Sequence, residues 1–194
     1  MDLVIQAQKF SGDGRALAQL LAKTNKMTFE MVLPPRVGFF FEKEENFLVM
    51  NADILTNLDI DKLIAADKVL SEGDHNYIAT LAVTNRASSR NLLFTAEGNL
   101  IGWRNNSSRE EKWSASMTND STESPAYIAK AFSGIQILHS SFFTNLSMNG
   151  KFSLIEAYLA LASKGSIGYY DHSDSILLDV GKPENIEKAE AIFI

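Results

Sequence analysis

The chain has no cysteine among its 194 residues, which excludes disulfide bonds and thiolate chemistry. It also has no run approaching the roughly 18 apolar residues that a membrane-spanning helix requires. The first residues, Met1 and Asp2, supply no basic segment ahead of an apolar core, so no secretory signal peptide is expected. We therefore predict a cytoplasmic protein with no membrane partner.

Positive charge is scarce as well. Lysine and arginine total 18 against 24 acidic residues, which gives a formal net charge of −6 at pH 7. A nucleic-acid-binding surface needs a basic face, so no nucleic-acid partner is expected. An acidic protein is still compatible with a metal–nucleotide site, because the cation itself supplies the positive charge there.

The common catalytic motifs are also missing. The sequence contains no Walker-type loop, zinc-ligand spacing, nucleophile elbow or G-x-G-x-x-G. Of the three histidines, His75 and His139 stand near predicted helix ends, where capping or solvent exposure accounts for them. His172 follows Asp171 in a short polar segment, and adjacent residues on a turn seldom converge on one ion. We predict a solvated loop there.

What the chain does contain is an alternation of strand-like and helix-like segments from residue 39 onward, the pattern of an α/β fold. No repeat or linker divides it, so we expect a single domain over 1–194. Strands are predicted over residues 47–52, 78–84, 91–94, 100–104, 131–138, 167–170 and 175–178, helices over 59–69, 153–161 and after 183, and a polar loop over 105–124. In the irregular first 40 residues, Leu3–Ile5 fits a strand and Ala16–Ala22 a helix.

Two predicted buried strands end in an aspartate, Asp53 after residues 47–52 and Asp179 after residues 176–178. Each can deliver a carboxylate to the rim of a sheet, and two such carboxylates can hold a hard divalent cation that in turn holds a phosphate. Simpler explanations exist for both. Asp53 can be a strand-to-loop residue or a helix cap, and Asp179 a turn residue before Gly181.

Six segments, taken in order, resemble the sugar-phosphate nucleotidyltransferase family, in particular its mannose-1-phosphate guanylyltransferase-like branch. They are FLVMNADILTN at 47–57, ATLAVTNR at 79–86, SRNLLF at 89–94, GWRN at 102–105, FSGI at 132–135 and LDVGKPEN at 178–185. Residues 41–194 are thus family-like, and residues 1–40 are divergent.

The resemblance implies a three-layer, Rossmann-like nucleotidyltransferase fold with a mixed, mainly parallel sheet and the site at the carboxyl ends of its strands. It implies transfer of a nucleotidyl group from a nucleoside triphosphate to a sugar 1-phosphate, with Mg²⁺ as cofactor. That reaction needs in-line positioning and charge neutralisation rather than covalent chemistry by the protein. Mannose 1-phosphate with GTP is the pairing that the GWRN and DVGKP segments favour, and muramic-acid and glucose phosphates remain alternatives.

By resemblance, Asp53 and Asp179 are the Mg²⁺ ligands and the catalytic residues. Substrate contacts are implied for four further residues, Asn51, Asn105, Glu110 and Gly134. Three of them have an alternative: Asn51 at a strand end is a common turn former, the strand glycine Gly134 often marks a bulge, and Glu110 is a solvated residue of a charged loop. Glu156 can touch sugar hydroxyls, but the Ser-x-x-Glu pattern from Ser153 favours a capping box.

The chain departs from the family at its N-terminal side. The family's first strand leads into a glycine-rich loop that cradles the triphosphate, and here only Gly12-Asp13-Gly14-Arg15 echoes it. Too few residues separate this echo from Asp53 for the intervening elements. We therefore expect an N-terminally incomplete fold, in which residues 2–22 replace the second strand and helix. Pro34 and Pro35 also cannot offer the N–H donors of the family's second glycine turn.

Three hypotheses follow. The chain is a sugar-1-phosphate nucleotidyltransferase with an altered triphosphate site, or a catalytically inactive relative that binds sugar phosphate or serves as an assembly subunit, or a truncated gene product. A sheet edge left uncovered by a missing strand would also favour self-association, so a homo-oligomer is a further expectation.

Overall fold

A computed structural model describes residues 2–11, 14–25, 28–29, 46–51, 53–117, 126–148, 152–181 and 185–193. Its strands are β1 (Asp2–Ser11), β2 (Gly14–Asn25), β3 (Thr28–Phe29), β4 (Asn46–Met50), β5 (Ile54–Thr56), β6 (Ala79–Thr84), β7 (Arg90–Phe94), β8 (Leu100–Asn105), β9 (Glu111–Trp113), β10 (Ile128–His139), β11 (Ile167–Asp171) and β12 (Leu177–Asp179). Its helices are α1 (Ile60–Ser71), α2 (Ser140–Asn145), α3 (Leu154–Leu161) and α4 (Ile186–Phe193), with a 3₁₀ turn at Ala115–Met117.

The long strand β10 organises the sheet. Its C-terminal half lies between β4 and β6 and runs antiparallel to both, and its first residues pair with β7. The sheet continues from β7 through β8 to β9, and from β4 through β1 to β2 and β3. β11 pairs with the other edge of β6, in parallel. The strands β4, β6 and β11 therefore end at the same side of the sheet, and β10 runs against them.

The sheet is mixed, which confirms the α/β class, but the expectation of a mainly parallel sheet is wrong. Among the described strands only β6 and β11 pair in parallel. The cause lies in the connections. β7, β8 and β9 follow one another through short turns, and short turns join only antiparallel neighbours, because a parallel pair needs a crossover of a dozen or more residues.

Helices cover both faces of the sheet. Along β6, Ala79, Leu81 and Val83 belong to a core cluster with α2 and α3, and Ala82 belongs to a second cluster with Leu63 of α1. All six residues of β6 are buried, as expected for a strand covered on both faces. The alternation along one strand thus fixes which helix lies on which face.

Local patterns predicted the bounds of β4, β6, β7, β8, β11, β12, α1 and α3 within two residues, but they gave no prediction for β5 or α2, and β10 begins three residues before the expected start. Two further predictions are wrong. Ala16–Ala22 was expected to be helical, but it lies in β2, which pairs with β1 along its length. Strand pairing has overridden the helix propensity of the alanines and leucines there. The polar loop predicted over 105–124 is wrong in part, because β9 and the 3₁₀ turn fall inside it; residues 118–124 lie outside the described residues.

Candidate metal and phosphate site

The site begins where β4 ends, at Asn51. The backbone N–H of Asn51 donates to the carbonyl of Gly134 in β10 at 2.9 Å, which holds the strand end to its neighbour. The carbonyl of Asn51 then accepts a 3.3 Å hydrogen bond from the N–H of Ile54. The segment closed by this bond contains Asp53 and is called here the aspartate turn.

A two-stranded sheet of β5 and β12 brings the second aspartate to the first. Asp179 lies opposite Ile54 in this antiparallel pair, and the N–H of Val180 donates to the carbonyl of Asp53 at 2.8 Å. Thr56 strengthens the pairing, because its hydroxyl donates to the carbonyl of Ile176 at 2.7 Å. Two aspartates far apart in the sequence are thus fixed side by side. The expectation of a buried strand before Asp179 is wrong, because the residues of β12 are half-buried and pair with β5 outside the main sheet.

Gly181 shows how closely the two carboxylates approach each other. A β-carbon placed on this glycine would lie 2.8 Å from Oδ2 of Asp53 and 3.1 Å from Oδ1 of Asp179. The backbone N–H of Gly181 also donates to Oδ1 of Asp179 at 3.1 Å. Both carboxylates therefore converge on one small space, which a side chain at position 181 would fill. Asp53 and Asp179 are called the aspartate pair below.

The electrostatics agree with this geometry. Burial and then the neighbouring charge of Asp179 raise the pKa of Asp53, while a hydrogen bond from its own backbone N–H acts in the opposite direction. No salt bridge among the described residues involves either aspartate. Two half-buried carboxylates with this mutual repulsion form a site that a cation would stabilise.

The donor set fits Mg²⁺ in one particular binding mode. The described residues include no group of three or more His, Cys, Asp or Glu side chains that could enclose a metal ion. A full protein cage, as for zinc or a tightly held calcium, is therefore not formed by these residues. Mg²⁺ is commonly held by one or two carboxylates together with water and substrate phosphates, and the aspartate pair matches that mode.

Gly134 and Asn51 form one unit next to the pair. Gly134 adopts a left-handed backbone conformation with φ of +73°, and a β-carbon there would lie 2.5 Å from Nδ2 of Asn51. Only glycine satisfies both conditions without strain. A bulge was the alternative explanation for Gly134. It is confirmed, because the pairing of β10 with β6 shifts register between Phe132 and Gln136.

Glu110 and Asn105 lie elsewhere, in the β8–β9 hairpin. The side-chain oxygen of Asn105 accepts hydrogen bonds from the N–H groups of Ser107 and Ser108, and its own N–H donates to the carbonyl of Glu110. Glu110 is exposed, and its carboxylate faces Lys112 at 3.9 Å. No hydrogen bond or ion pair among the described residues joins this hairpin to the aspartate pair. The polar atoms of Asn105 shape the hairpin turn.

Glu156 acts as a helix cap, as its spacing from Ser153 predicted. Its carboxylate accepts from the backbone N–H of Ser153 at 3.2 Å and completes the capping box of α3. Lys112 of β9 pairs with the same carboxylate at 3.2 Å. These contacts lower the pKa of Glu156, with the Ser153 bond as the larger cause.

Sequence reasoning missed the roles of two histidines. His172 was predicted in a solvated loop, but it is only 4% exposed and its Nε2 lies 2.7 Å from the hydroxyl of Ser133. His139 lies at the N-terminus of α2 without a side-chain cap, and its Nε2 contacts the buried carboxylate of Asp67 at 3.0 Å. Ser133 and Asp67 are distant in sequence from the histidines they contact, so no local pattern indicates either contact.

Three further findings bear on the assignment. No helix in the described part of the chain is long and apolar enough to cross a membrane. No protein-family model matches the sequence, and a search of curated proteins gives no match. The functional assignment therefore depends on the motifs of the sequence and on the geometry of the aspartate pair.

Proposed function

We propose that the chain is a Mg²⁺-dependent nucleotidyltransferase-like protein that acts on a sugar 1-phosphate, with the mannose 1-phosphate and GTP pairing as the first candidate. The observation that carries the proposal is the convergence of Asp53 and Asp179 beside Gly181. The resemblance of residues 41–194 to this family suggests the reaction class, and the aspartate pair supports it with two convergent carboxylates of the kind that bind Mg²⁺.

Each part of the site has a definite task in this proposal. Asp53 and Asp179 would hold Mg²⁺, which when bound neutralises phosphate charge and orients the phosphoryl oxygens. The Asn51–Gly134 hydrogen bond holds the aspartate turn against β10, and the β5–β12 pair fixes the second carboxylate. The chain contributes positioning and charge, which are the contributions that phosphoryl-group chemistry requires.

A second candidate is a relative that binds sugar phosphate in the presence of the cation but performs no transfer. One observation favours it. β1 pairs antiparallel with β4, beside the site, and then connects to β2 with Ser11 opposite Gly14. A hairpin of two strands there differs from the strand, glycine-rich loop and helix that the family uses to cradle the triphosphate.

A pyrophosphate-release assay separates the two candidates. The purified chain is incubated with Mg²⁺, each of the four nucleoside triphosphates and a panel of sugar 1-phosphates, and binding of the same sugar phosphates is measured by calorimetry. Release that is lost in Asp53→Asn and retained in the exposed control Asp174→Asn supports transfer. Cation-dependent binding without release supports the second candidate. If the folded wild type shows neither, both are wrong.

A further inference from the structure

The inference concerns His172, which the proposed chemistry does not use. Its backbone is fixed at the end of β11, because its N–H donates to the carbonyl of Val83 at 2.9 Å and its carbonyl accepts from the N–H of Ser175 at 2.8 Å. Its side chain crosses toward β10 and meets the hydroxyl of Ser133 at 2.7 Å. Both residues are buried, with exposed fractions of 4% and 2%.

Ser133 lies in the least regular part of the sheet. Phe132 pairs with Val83 and Gln136 with Leu81, so the three residues 133–135 of β10 face the single residue Ala82 of β6. A bulge of this kind gives up ladder hydrogen bonds and needs other contacts to hold its shape. Two side-chain contacts are present: the His172 contact with Ser133, and a 3.0 Å hydrogen bond from Arg86 to the carbonyl of Phe132.

The same bulge also holds the aspartate turn, through a hydrogen bond of Gly134. Gly134 follows Ser133 directly, and its carbonyl accepts the N–H of Asn51 at 2.9 Å. Asn51 packs its side chain against the bare α-carbon of Gly134 and closes the turn that carries Asp53. A continuous series of contacts thus runs from His172 through Ser133, Gly134 and Asn51 to the first aspartate.

We propose that His172 is a positioning residue, which holds Ser133 in the bulge of β10 and so fixes the Gly134 carbonyl that carries the aspartate turn. The ring acts in its neutral form. Burial is the largest cause that lowers the pKa of His172, the nearby charge of Arg86 lowers it further, and Asp171 opposes them. Nδ1 is buried without a hydrogen-bond partner among the described residues, and a proton on Nε2 avoids leaving an unpaired N–H donor there.

Two substitutions of this residue isolate the contact. In His172→Gln the amide nitrogen lies near the former Nε2 and can still donate to Ser133, whereas in His172→Asn it lies near the former Nδ1 and cannot. Ser133→Ala removes the same contact from the other side. His139→Gln is the control, since it alters a second histidine, which is half-buried and whose contact with Asp67 lies outside this series.

The test is amide hydrogen exchange followed by NMR on the full chain, with the Asn51 amide compared with the amides of β6. We expect His172→Asn and Ser133→Ala to accelerate exchange at Asn51 by about tenfold relative to β6, and His172→Gln and His139→Gln to leave that ratio near the wild-type value. An unchanged ratio in both His172→Asn and Ser133→Ala would overturn the proposal, as would a change of equal size in His139→Gln.

The consequence for the metal rests on the proposed function and is measured separately, by Mn²⁺ titration of the same variants. Weaker Mn²⁺ binding in His172→Asn, restored in His172→Gln, would extend the positioning role to the cation. If wild type binds no Mn²⁺, the proposed function fails while the exchange result still decides the role of His172. Unchanged Mn²⁺ affinity together with faster Asn51 exchange would confine that role to the backbone of the turn and overturn its extension to the cation.

Discussion

Two regions of the molecule each contain an aspartate close to the sheet, and they use it in opposite ways. Asp67 of α1 is 1% exposed and fully engaged: Thr80 donates to it at 2.6 Å, Asn46 at 3.2 Å, and His139 lies at 3.0 Å. Asp53 is half-buried and faces the carboxylate of Asp179. Burial, and then this neighbouring charge, raise the pKa of Asp53.

The difference shows which carboxylate serves the fold and which is available to a ligand. The contacts of Asp67 join α1 to β4, β6 and β10, so its charge is used inside the protein. The aspartate pair instead places two negative charges next to each other, at a cost in electrostatic energy that a bound cation would offset. Asp67 is the more deeply buried aspartate, but hydrogen-bond donors surround its carboxylate. The aspartate pair is the better candidate for a ligand site, because each of its carboxylates has the other as a neighbour.

The largest expected effect comes from Asp67→Asn. The N–H₂ group of the new amide faces Asn46 or Thr80, whose side chains donate to the carboxylate of Asp67. A buried hydrogen bond is therefore lost, and a donor is left unpaired. We expect the free energy of unfolding to fall by about 2–4 kcal/mol in urea denaturation. Any Mg²⁺-induced rise in the melting temperature should persist. A loss below about 1 kcal/mol would contradict the structural role of Asp67.

Gly181→Ala should mainly weaken cation binding. Its β-carbon would enter the space shared by the two carboxylates, 2.8 Å from Oδ2 of Asp53, and would push them apart. We expect a stability loss of about 1 kcal/mol, from urea denaturation, together with at least about a tenfold loss of Mn²⁺ affinity in calorimetry. Retained affinity would show that the convergence beside Gly181 is not the metal site.

Asp53→Asn should mainly change how the free energy of unfolding depends on pH, and should change the magnitude of that free energy less. Because the pKa of Asp53 is raised in the folded state, the folded protein binds this proton more tightly than the unfolded chain does. Stability contributed by that proton is present at low pH and is lost as pH rises from about 4, the ordinary aspartate value, through the raised pKa. We expect Asp53→Asn to gain relative to wild type across this interval, in urea unfolding series without divalent cations. A relative loss on raising the pH would contradict the sign of the shift.

Glu110→Gln is expected to have the smallest effect. Glu110 is exposed, and its pair with Lys112 is long, so the change in unfolding free energy should stay below about 0.5 kcal/mol. Sugar-phosphate and Mn²⁺ affinities should also be unchanged, because the described contacts keep this hairpin separate from the aspartate pair. A tenfold loss of sugar-phosphate affinity would instead place Glu110 in the site, as the family resemblance implies.

The sequence predicted the parts of the molecule that depend on local chemistry. The helix expected over 59–69 is α1, with Asp59 as its N-cap, and the Ser153 capping box opens α3 as its spacing indicated. The buried strand expected before Asp53 is β4, whereas the one expected before Asp179 is only half-buried and pairs with β5 outside the main sheet. Side-chain capping and strand burial leave patterns within a few residues, so one sequence is enough to find them.

What could not be predicted depends on contacts between distant segments. Strand direction is decided by which distant strands pair. The family resemblance implied a mainly parallel sheet, whereas among the described strands only β6 and β11 pair in parallel. The contact between His172 and Ser133 spans 39 residues, and that between His139 and Asp67 spans 72. Local sequence suggested a solvated loop for His172 and capping or solvent exposure for His139, whereas each histidine contacts a partner that lies far away in the sequence.

The central claim, that Asp53 and Asp179 form a cation site, is tested most directly by calorimetric titration of Mn²⁺ in the presence of mannose 1-phosphate. Wild type, Asp53→Asn, Asp179→Asn and the exposed control Asp174→Asn are compared. The proposal predicts saturable binding in wild type and in the control, and an affinity at least about tenfold lower in both site variants. Equal affinity in all four proteins, or no binding in folded wild type, would contradict it.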